Sequence, residues 1–595
     1  MKGDRPAPKP SAKGARGKRG GGKPVMAAVA DRPGGPRRHW WPWLLAVAIV
    51  MAAIFEAYGP ALHGPFLLDD SYLPFARPGA DETPLRLWLV GTRPLLMLSY
   101  WLNFQWSHQD TFSYHLVNVL LHVMNGWLIF AIAGRILAKL DMDVWRRRAL
   151  AAFGAALFLF HPLQTEAVSY VASRSETLSV FFLYLAFAVF LWRRRDEISW
   201  LRSGAILALL AAATLSKEHT LVLPAVLLLT DYFWNPGYSL RGIGRNWRLY
   251  VPLGAVAVAG GAFVFSVLGQ SISAGFHVRG VTWTQYFYTE CRAIWIYLGK
   301  FILPVRQNLD YTGSFAVSHS LTDHGAVFAM LALVIVSVAA WLFRRRFPLA
   351  SFGWFIFLVL LAPTSSFVPI QDPLAERRLY MPFIGLVFIV LEWLRRWRAT
   401  RQVMVGAMAV VVAAEAWASW QRNQLWGDRI AMWQDTADKS PQSVRPRFQL
   451  AKAYFDLGQF GVAVDQYARA AQIGRPRTDL LADWGIALAY EGRNDEALEK
   501  LQQALAREHT AYIYSQIAMV DGRAGRYSDA LAALDAAQRI NPRLDLIYYY
   551  RGVVYYKQGD AARALAEFRR GLAIAPYSPT LRSQIQTLEQ QTGIQ

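Results

Sequence analysis

Cysteine and acidic side chains are scarce in this sequence. The 595 residues include one cysteine, Cys291, which excludes an internal disulfide. Asp and Glu total 42 against 63 Lys and Arg, a net charge of +21. Such an excess is compatible with nucleic-acid binding, but the basic clusters recur in alternate loops between apolar stretches. That pattern marks the cytoplasmic loops of a membrane protein, so we predict no nucleic-acid partner.

Apolar residues dominate the rest of the chain. The sequence is 54% hydrophobic, with 23 Trp and 33 Phe, which is too apolar for a single soluble domain. A bilayer core of about 30 Å needs roughly 20 apolar residues per helix. The predicted spans are 41–58, 114–138, 149–170, 175–192, 200–216, 219–234, 249–269, 324–343, 350–367, 379–394 and 402–421.

The stretch 284–303 is also apolar, but it carries Glu290, Arg292 and Lys300. Counting it as a span would place the Arg344–Arg346 cluster outside, against the positive-inside rule. We therefore interpret 284–303 as an interfacial or re-entrant helix. This leaves eleven spans and an outer carboxyl-terminal region, and a twelve-span count is the alternative.

The first 38 residues are rich in Lys, Arg, Gly and Pro and have no apolar periodicity. They predict a disordered cytoplasmic tail. Trp40 to Trp43 open a full-length span rather than a cleaved signal peptide. With the tail inside, residues 59–113 lie on the outer side.

The carboxyl-terminal third contains an internal repeat. Gly458, Gly492, Gly525 and Gly559 fall 34, 33 and 34 residues apart, which is the tetratricopeptide repeat (TPR) period. We therefore predict an all-α protein with a transmembrane domain at 39–421, a linker at 422–443 and a TPR solenoid of about four units at 444–595. Stacked repeats form a groove suited to a peptide or partner. A spacer or a dimerisation surface is the alternative role.

Candidate chemistry falls on the predicted outer side. Charges beside spans are costly unless they are paired or functional, and their convergence on one interface favours an enzyme over a transporter. The candidates are Asp69, Asp70, Arg93, His115, Asn118, His122, His161, Glu166, Arg174, Lys217, Glu218, Arg377 and Arg378.

Structural roles are the alternative for several of these residues. Asp69 and Asp70 are also suited to capping a helix, and His161 with Pro162 to ending one. Arg377 and Arg378 are also suited to anchoring the interface.

His115, Asn118 and His122 lie on one helical face, at spacings open to metal binding. Hydrogen bonding within the bundle is the favoured interpretation. We predict no metal.

Read together and in order, these motifs resemble the transmembrane and tetratricopeptide repeat O-mannosyltransferases (TMTC-type), within the GT-C glycosyltransferase fold. The resemblance covers essentially the whole chain after the basic tail. The short repeat array and the tail depart from the family's pattern. The motifs that carry the resemblance are Asp69-Asp70, Arg93-Pro94-Leu95, Tyr114 to Asn118 with His122, His161-Pro162 through Val168, Arg174, Lys217-Glu218, Glu376 to Pro382 and the terminal repeats.

The resemblance implies transfer of a hexose, by family expectation mannose, from a polyprenyl-phosphate carrier to Ser or Thr of a protein, with inversion. A hydroxyl nucleophile needs a base within hydrogen-bond reach. Asp69 is the implied base, Asp70 orients acceptor or sugar, and Glu166 stabilises positive charge or holds sugar hydroxyls.

The leaving phosphate needs positive charge in a partly dry site. The implied donor-binding residues are Arg93, His161, Arg174, Lys217, Glu218, Arg377 and Arg378. For Arg93, a pair with a loop acid is the alternative. No cofactor beyond the lipid-phosphate sugar substrate is expected. The expected location is a bacterial inner membrane, with the repeats in the periplasm, or in the lumen in a eukaryote.

Two other function classes remain open. One is a ligase that moves a whole lipid-linked glycan, although none of the outer loops is very long. The other is a non-catalytic membrane scaffold whose repeats recruit a partner.

Overall fold

The computed structural model describes residues 41–193, 197–270, 274–278 and 280–593. The predicted tail and Arg194–Arg195 lie outside these residues. Contacts divide the chain into Met1–Met51 and Ala52–Gln595. Of the first unit, only the amino-terminal part of α1 is described. Within the described ranges the protein is helical, with one isolated β-bridge between Ala274 and Ile370.

Sixteen α-helices precede the end of the last candidate membrane helix. They are α1 Trp41–Tyr58, α2 Leu85–Trp88, α3 Pro94–Ser107, α4 Thr111–Leu137, α5 Val144–Phe160, α6 Thr165–Ser169, α7 Arg174–Leu191, α8 Trp200–Thr214, α9 Leu223–Trp234, α10 Arg241–Arg245, α11 Trp247–Gln270, α12 Trp283–Ile302, α13 Ala326–Leu342, α14 Pro348–Leu361, α15 Phe383–Arg396 and α16 Arg401–Trp426.

Six stretches among the described residues are helical, long and apolar enough to cross a membrane: Leu44–Ala61, Thr111–Leu137, Val171–Leu191, Trp247–Gly269, Asp323–Leu342 and Arg401–Trp426. Helices α5, α8, α9, α14 and α15 also fall on predicted spans. They are shorter, at 12 to 17 residues, because 3₁₀ turns and loops take up part of several predicted stretches. The count of eleven spans stays a prediction.

Helix α12 covers the ambiguous stretch and is not among the candidate spans. Its Glu290 and Lys300 side chains are buried in the protein, and it packs against α13. Whether α12 lies in the interface stays a prediction.

The carboxyl-terminal part forms four antiparallel helix pairs and one further helix, as the repeat predicts. The pairs are α18 Val444–Asp456 with α19 Phe460–Ile473, α20 Thr478–Glu491 with α21 Asn494–Leu505, α22 Ala511–Arg523 with α23 Tyr527–Ile540 and α24 Asp545–Lys557 with α25 Ala561–Ile574, followed by α26 Pro579–Thr592.

The periodic glycines occupy the turn inside each pair. Gly458, Gly492, Gly525 and Gly559 have φ values of 73°, 91°, 79° and 83°. Glycine adopts this left-handed conformation without a Cβ penalty, which explains the period. The alanines that follow at the same spacing, such as Ala463, are fully buried where the helices meet.

The segment predicted as a linker, 422–443, is helical. Helix α16 continues to Trp426, and α17 Arg429–Lys439 packs against α18. Met432 and Trp433 of α17 are buried. Sequence analysis missed the apolar face of α17, because residues that share its hydrophobic cluster, such as Leu67 and Tyr170, lie far away in the sequence.

Both ends of the solenoid contact the loop that carries the acidic pair. At the near end, one hydrophobic cluster joins this loop to α16, α17 and α18: Ala61, Leu67, Tyr170, Leu309, Trp426, Met432, Trp433, Leu450 and Ala453. At the far end, a Cβ added at Gly79 would collide with Tyr577, and Arg582 pairs with Glu82 at 3.2 Å. The solenoid therefore lies on the same face of the bundle as Asp69.

Candidate active site

The acidic pair sits on a 3₁₀ turn, Leu68–Tyr72. Asp70 points inward and is 1% exposed. Its Oδ2 accepts a hydrogen bond from the Leu67 N–H at 2.9 Å, and its Oδ1 accepts one from the Ala172 N–H at 2.7 Å. Both oxygens are thus used by the backbone. Asp70 ties the turn to the segment that precedes α7, and its role in orienting acceptor or sugar stays a prediction.

Asp69 points the other way and is exposed. Its backbone N–H donates to the Tyr170 hydroxyl at 2.9 Å. No described residue forms a hydrogen bond or an ion pair with the Asp69 carboxylate. This carboxylate is therefore free to accept a proton from a bound hydroxyl group.

Tyr170 connects the acidic turn to a basic residue. Besides accepting from Asp69, its hydroxyl interacts electrostatically with Asp70 and Arg377. Sequence reasoning missed Tyr170, because a tyrosine at a helix end carries no charge signal. Tyr170 therefore interacts with both the acidic turn and Arg377.

Glu166 and Arg377 form a buried pair. Arg377 Nη1 lies 2.5 Å from Glu166 Oε1, and the Arg377 backbone N–H donates to Oε2 at 3.0 Å. Glu166 therefore orients Arg377, and its role in stabilising positive charge or holding sugar hydroxyls stays a prediction. The Arg377 side chain is 28% exposed. A guanidinium has five N–H donors, so it retains donors for an anion.

A second charged group lies around Arg93. Arg93 makes a bidentate pair with Glu218, at 2.6 and 3.0 Å. Lys217 pairs with Glu176, which also lies 3.2 Å from His219. Burial would raise the pKa of Glu218, but the hydrogen bond and charge of Arg93 lower it to about 2. Arg93 thus pairs with the acid Glu218, while its contact with the donor stays a prediction, and Glu176 is a partner that sequence reasoning missed.

Arg174 is fully buried between three helices. Its guanidinium donates to Asn118 Oδ1 at 2.9 Å and to Asn103 Oδ1 at 2.7 Å, and it stacks over the Tyr100 ring at 4.6 Å. It holds helices α3, α4 and α7 together. The role of Arg174 at the donor phosphate stays a prediction.

His161 and Arg378 are likewise internal. The His161 Nε2 faces the Phe301 carbonyl at 3.0 Å, and Nδ1 accepts from the Leu163 N–H at 3.2 Å. Arg378 lies 3.5 Å from Glu290 and is 9% exposed. Both side chains are engaged inside the protein, and their role on the donor side stays a prediction.

The histidines of α4 hydrogen-bond within the bundle. His115 Nε2 faces the Gly64 carbonyl at 3.2 Å, and His122 contacts the Leu159 carbonyl at 3.1 Å and the Tyr380 hydroxyl at 3.0 Å. Across the part of the chain that the structure describes, no three His, Cys, Asp or Glu side chains group to hold a metal ion. The absence of a metal stays a prediction.

We expect the acidic turn to open more easily as pH rises. Burial raises the pKa of Asp70 to about 8, although two backbone hydrogen bonds lower it in part. The closed turn therefore holds the proton more tightly than the open one. The stabilisation of the closed turn is present at low pH and is lost as the pH rises toward about 8. In that range the opening constant is expected to rise about tenfold per pH unit. Hydrogen exchange at the Leu67 and Ala172 amides measures it.

The matched control for this prediction is Asp70→Asn, which has no proton to lose. Its opening constant is expected to be independent of pH, after correction for the intrinsic exchange rate. A wild-type opening constant equally flat between about pH 6 and 8 would contradict a protonated Asp70.

The fold and site define a class of protein. It is a polytopic helical membrane protein with an exposed carboxylate and partly exposed arginines at one end of its bundle. A TPR solenoid packs against the loop that carries the carboxylate. Residues 515–579 match the tetratricopeptide repeat family.

The chain is similar to curated protein O-mannosyl-transferases over most of its length. It is 24% identical to TMTC1 of Homo sapiens, over 72% of this chain and 55% of that protein. It is 23% identical to F38B6.6 of Caenorhabditis elegans, over 64% and 53%. The chain spans about half the length of the curated relatives it matches. The resemblance to the TMTC-type family is thereby confirmed.

Solved structures also match part of the chain. The MamA protein is 21% identical, covering 26% of this chain and 84% of that one, with a TM-score of 0.23. A thermophilic TPR protein of Thermus thermophilus is 18% identical, covering 30% and 95%, with a TM-score of 0.25.

Proposed function

We propose that this protein is an integral membrane glycosyltransferase that moves a hexose, mannose by its relatives' names, from a polyprenyl-phosphate carrier to Ser or Thr of a protein. The observation that carries the proposal is the exposed Asp69 carboxylate, on a turn whose Asp69 N–H donates to Tyr170, together with the partly exposed Arg377 that Glu166 orients. The curated relatives named as protein O-mannosyl-transferases support the reaction class.

The reaction is a single displacement with inversion at the anomeric carbon. The acceptor oxygen forms a bond to that carbon while its proton passes to Asp69. The bond between the anomeric carbon and the phosphate oxygen breaks, and the electron pair leaves with the lipid phosphate. Arg377, oriented by Glu166, stabilises the negative charge that develops there.

The charged group around Arg93 supports a second contact with the donor. The Arg93 side chain is 34% exposed and Glu218 is 26% exposed, whereas Lys217 is 16% exposed. A headgroup approaching from the membrane would meet Arg93 first. Arg93, Lys217 and Glu218 therefore stay in the proposal as donor-side residues.

The site is proposed to face the periplasm of a bacterium, or the lumen in a eukaryote, with the amino terminus in the cytoplasm. The basic loops of the sequence support this orientation. The TPR solenoid then captures the acceptor protein beside Asp69, because it docks on the same loop.

The function is tested by mass spectrometry of outer-side proteins from cells that carry the wild-type chain or Asp69→Asn at matched membrane levels. We expect hexose on Ser or Thr in the wild-type cells and its loss in the variant. The same spectra give the acceptor and the sugar mass. Identical glycoproteins in both strains would favour a glycan ligase or a scaffold instead.

A further inference from the structure

Glu376, the residue before the active-site arginine, lies at the centre of a buried polar network. Its side chain is 1% exposed. Gln307 Nε2 donates to Oε2 at 2.8 Å, and the Asn308 N–H donates to Oε1 at 3.1 Å. The Tyr311 hydroxyl also donates to Oε1, and Lys300 Nζ lies 3.3 Å away. One outer loop therefore fixes the backbone that carries the arginine.

The solenoid holds that outer loop in turn. Arg445, the second residue of α18, donates from Nε to Asp310 Oδ2 at 2.5 Å and from Nη2 to Asp372 Oδ1 at 3.0 Å. The Ser440 hydroxyl, just before α18, donates to the Asp310 carbonyl at 2.6 Å. A single side chain of the first repeat thus bridges the loop that binds Glu376 and the segment that leads into Arg377.

Asp310 is the buried residue of the bridge, whereas the side chains of Arg445 and Asp372 are 37% and 34% exposed. Asp310 is 2% exposed, and Arg445 is its cationic partner. A buried carboxylate whose partner is removed is left uncompensated. A small pocket at this junction is lined by Asp310, Asp372, Arg377 and Arg445 together. The first repeat and the active-site arginine therefore border the same space.

We infer that Arg445 is a positioning residue that fixes the Glu376–Arg377 segment, so that the first TPR unit forms part of the donor side of the site. The inference rests on the proposed function for its kinetic consequence. It gives the solenoid a role apart from acceptor capture. The donor side of the site is expected to need the first repeat even when the acceptor is a short soluble peptide.

The kinetic test compares Arg445→Ala with Arg447→Ala in the full-length protein. Arg447 lies on the same helix with similar burial, but it contacts Gln466 inside the repeat. We expect Arg445→Ala to raise the KM for polyprenyl-phosphate hexose about tenfold and to leave the peptide KM unchanged. A tenfold change corresponds to the loss of roughly one charge-assisted contact with the donor. Arg447→Ala is expected to match the wild type. A rise in the peptide KM alone would overturn the inference.

A second variant separates positioning from misfolding. Asp310→Asn added to Arg445→Ala removes the uncompensated buried charge while leaving the two loops unbridged. We expect this double variant to regain stability and to keep the raised donor KM. A normal donor KM in the double variant would mean that Arg445 only neutralises Asp310, and the inference would fail.

Hydrogen exchange over residues 372–378 tests the inference without sugar transfer. We expect faster exchange there in Arg445→Ala and in the double variant, but not in Arg447→Ala. If the variants exchange faster but the wild-type protein transfers no hexose, the proposed function is wrong and the positioning role stands. Unchanged exchange would sink the positioning role whatever the enzyme does.

Discussion

Asp69→Asn is expected to lower the turnover of hexose transfer by about 10²–10⁴-fold, the range for removing a general base. The amide has nearly the same shape, and the Asp69 backbone N–H keeps its bond to Tyr170, so the fold and membrane insertion are expected to stay intact. The measurement is the initial rate of transfer from polyprenyl-phosphate hexose to a Ser- or Thr-containing peptide, with purified protein.

Asp81→Asn is the matched control. Asp81 is an exposed acid on the same loop, and it contacts the exposed His108 at 2.9 Å. We expect wild-type turnover from it. If Asp69→Asn keeps most of the activity, the base lies elsewhere and the proposed mechanism is wrong.

Arg377→Ala is expected to raise the donor KM or lower turnover by about 10- to 100-fold, because a charge-assisted hydrogen bond to the phosphate is lost. The peptide KM should change little. The single variant also leaves Glu166, which is 3% exposed, without its partner. That orphaned charge destabilises the protein by itself, so the single variant alone does not decide the role.

The decisive comparison adds Glu166→Gln to Arg377→Ala. Stability measured by thermal unfolding should recover, while donor use stays impaired. Arg86→Gln, which removes an exposed charge on helix α2, serves as the control. A double variant with wild-type donor use would show that the pair is only structural.

The features that could be predicted from the sequence are those that depend on local sequence patterns. Gly458 and its counterparts revealed the repeats, because each turn needs a left-handed residue at a fixed spacing. Asp69 stood out because a carboxylate after an apolar run at an interface is costly without a use. Neither argument required knowledge of distant contacts.

The parts that sequence could not give depend on partners far away in the chain. Asp69 and Asp70 are neighbours in the sequence, but the 3₁₀ turn exposes the first and buries the second. The Ala172 amide that donates to Asp70 lies far away in the sequence. The partners of Arg174, Asn103 and Asn118, lie far from it in the sequence, so its place between three helices could not be predicted. Nothing in the sequence marks Tyr170 as a site residue, since aromatic residues are common near membrane spans.

The docking of the far end of the solenoid limits how this protein can evolve. A solenoid with a free end gains or loses units without disturbing the rest, since each unit contacts only its neighbours. Here Tyr577 abuts Gly79 and Arg582 meets Glu82. An inserted helix pair would carry both residues away from the loop that bears Asp69. The number of repeats is therefore matched to the length of that loop, and the two can change only together.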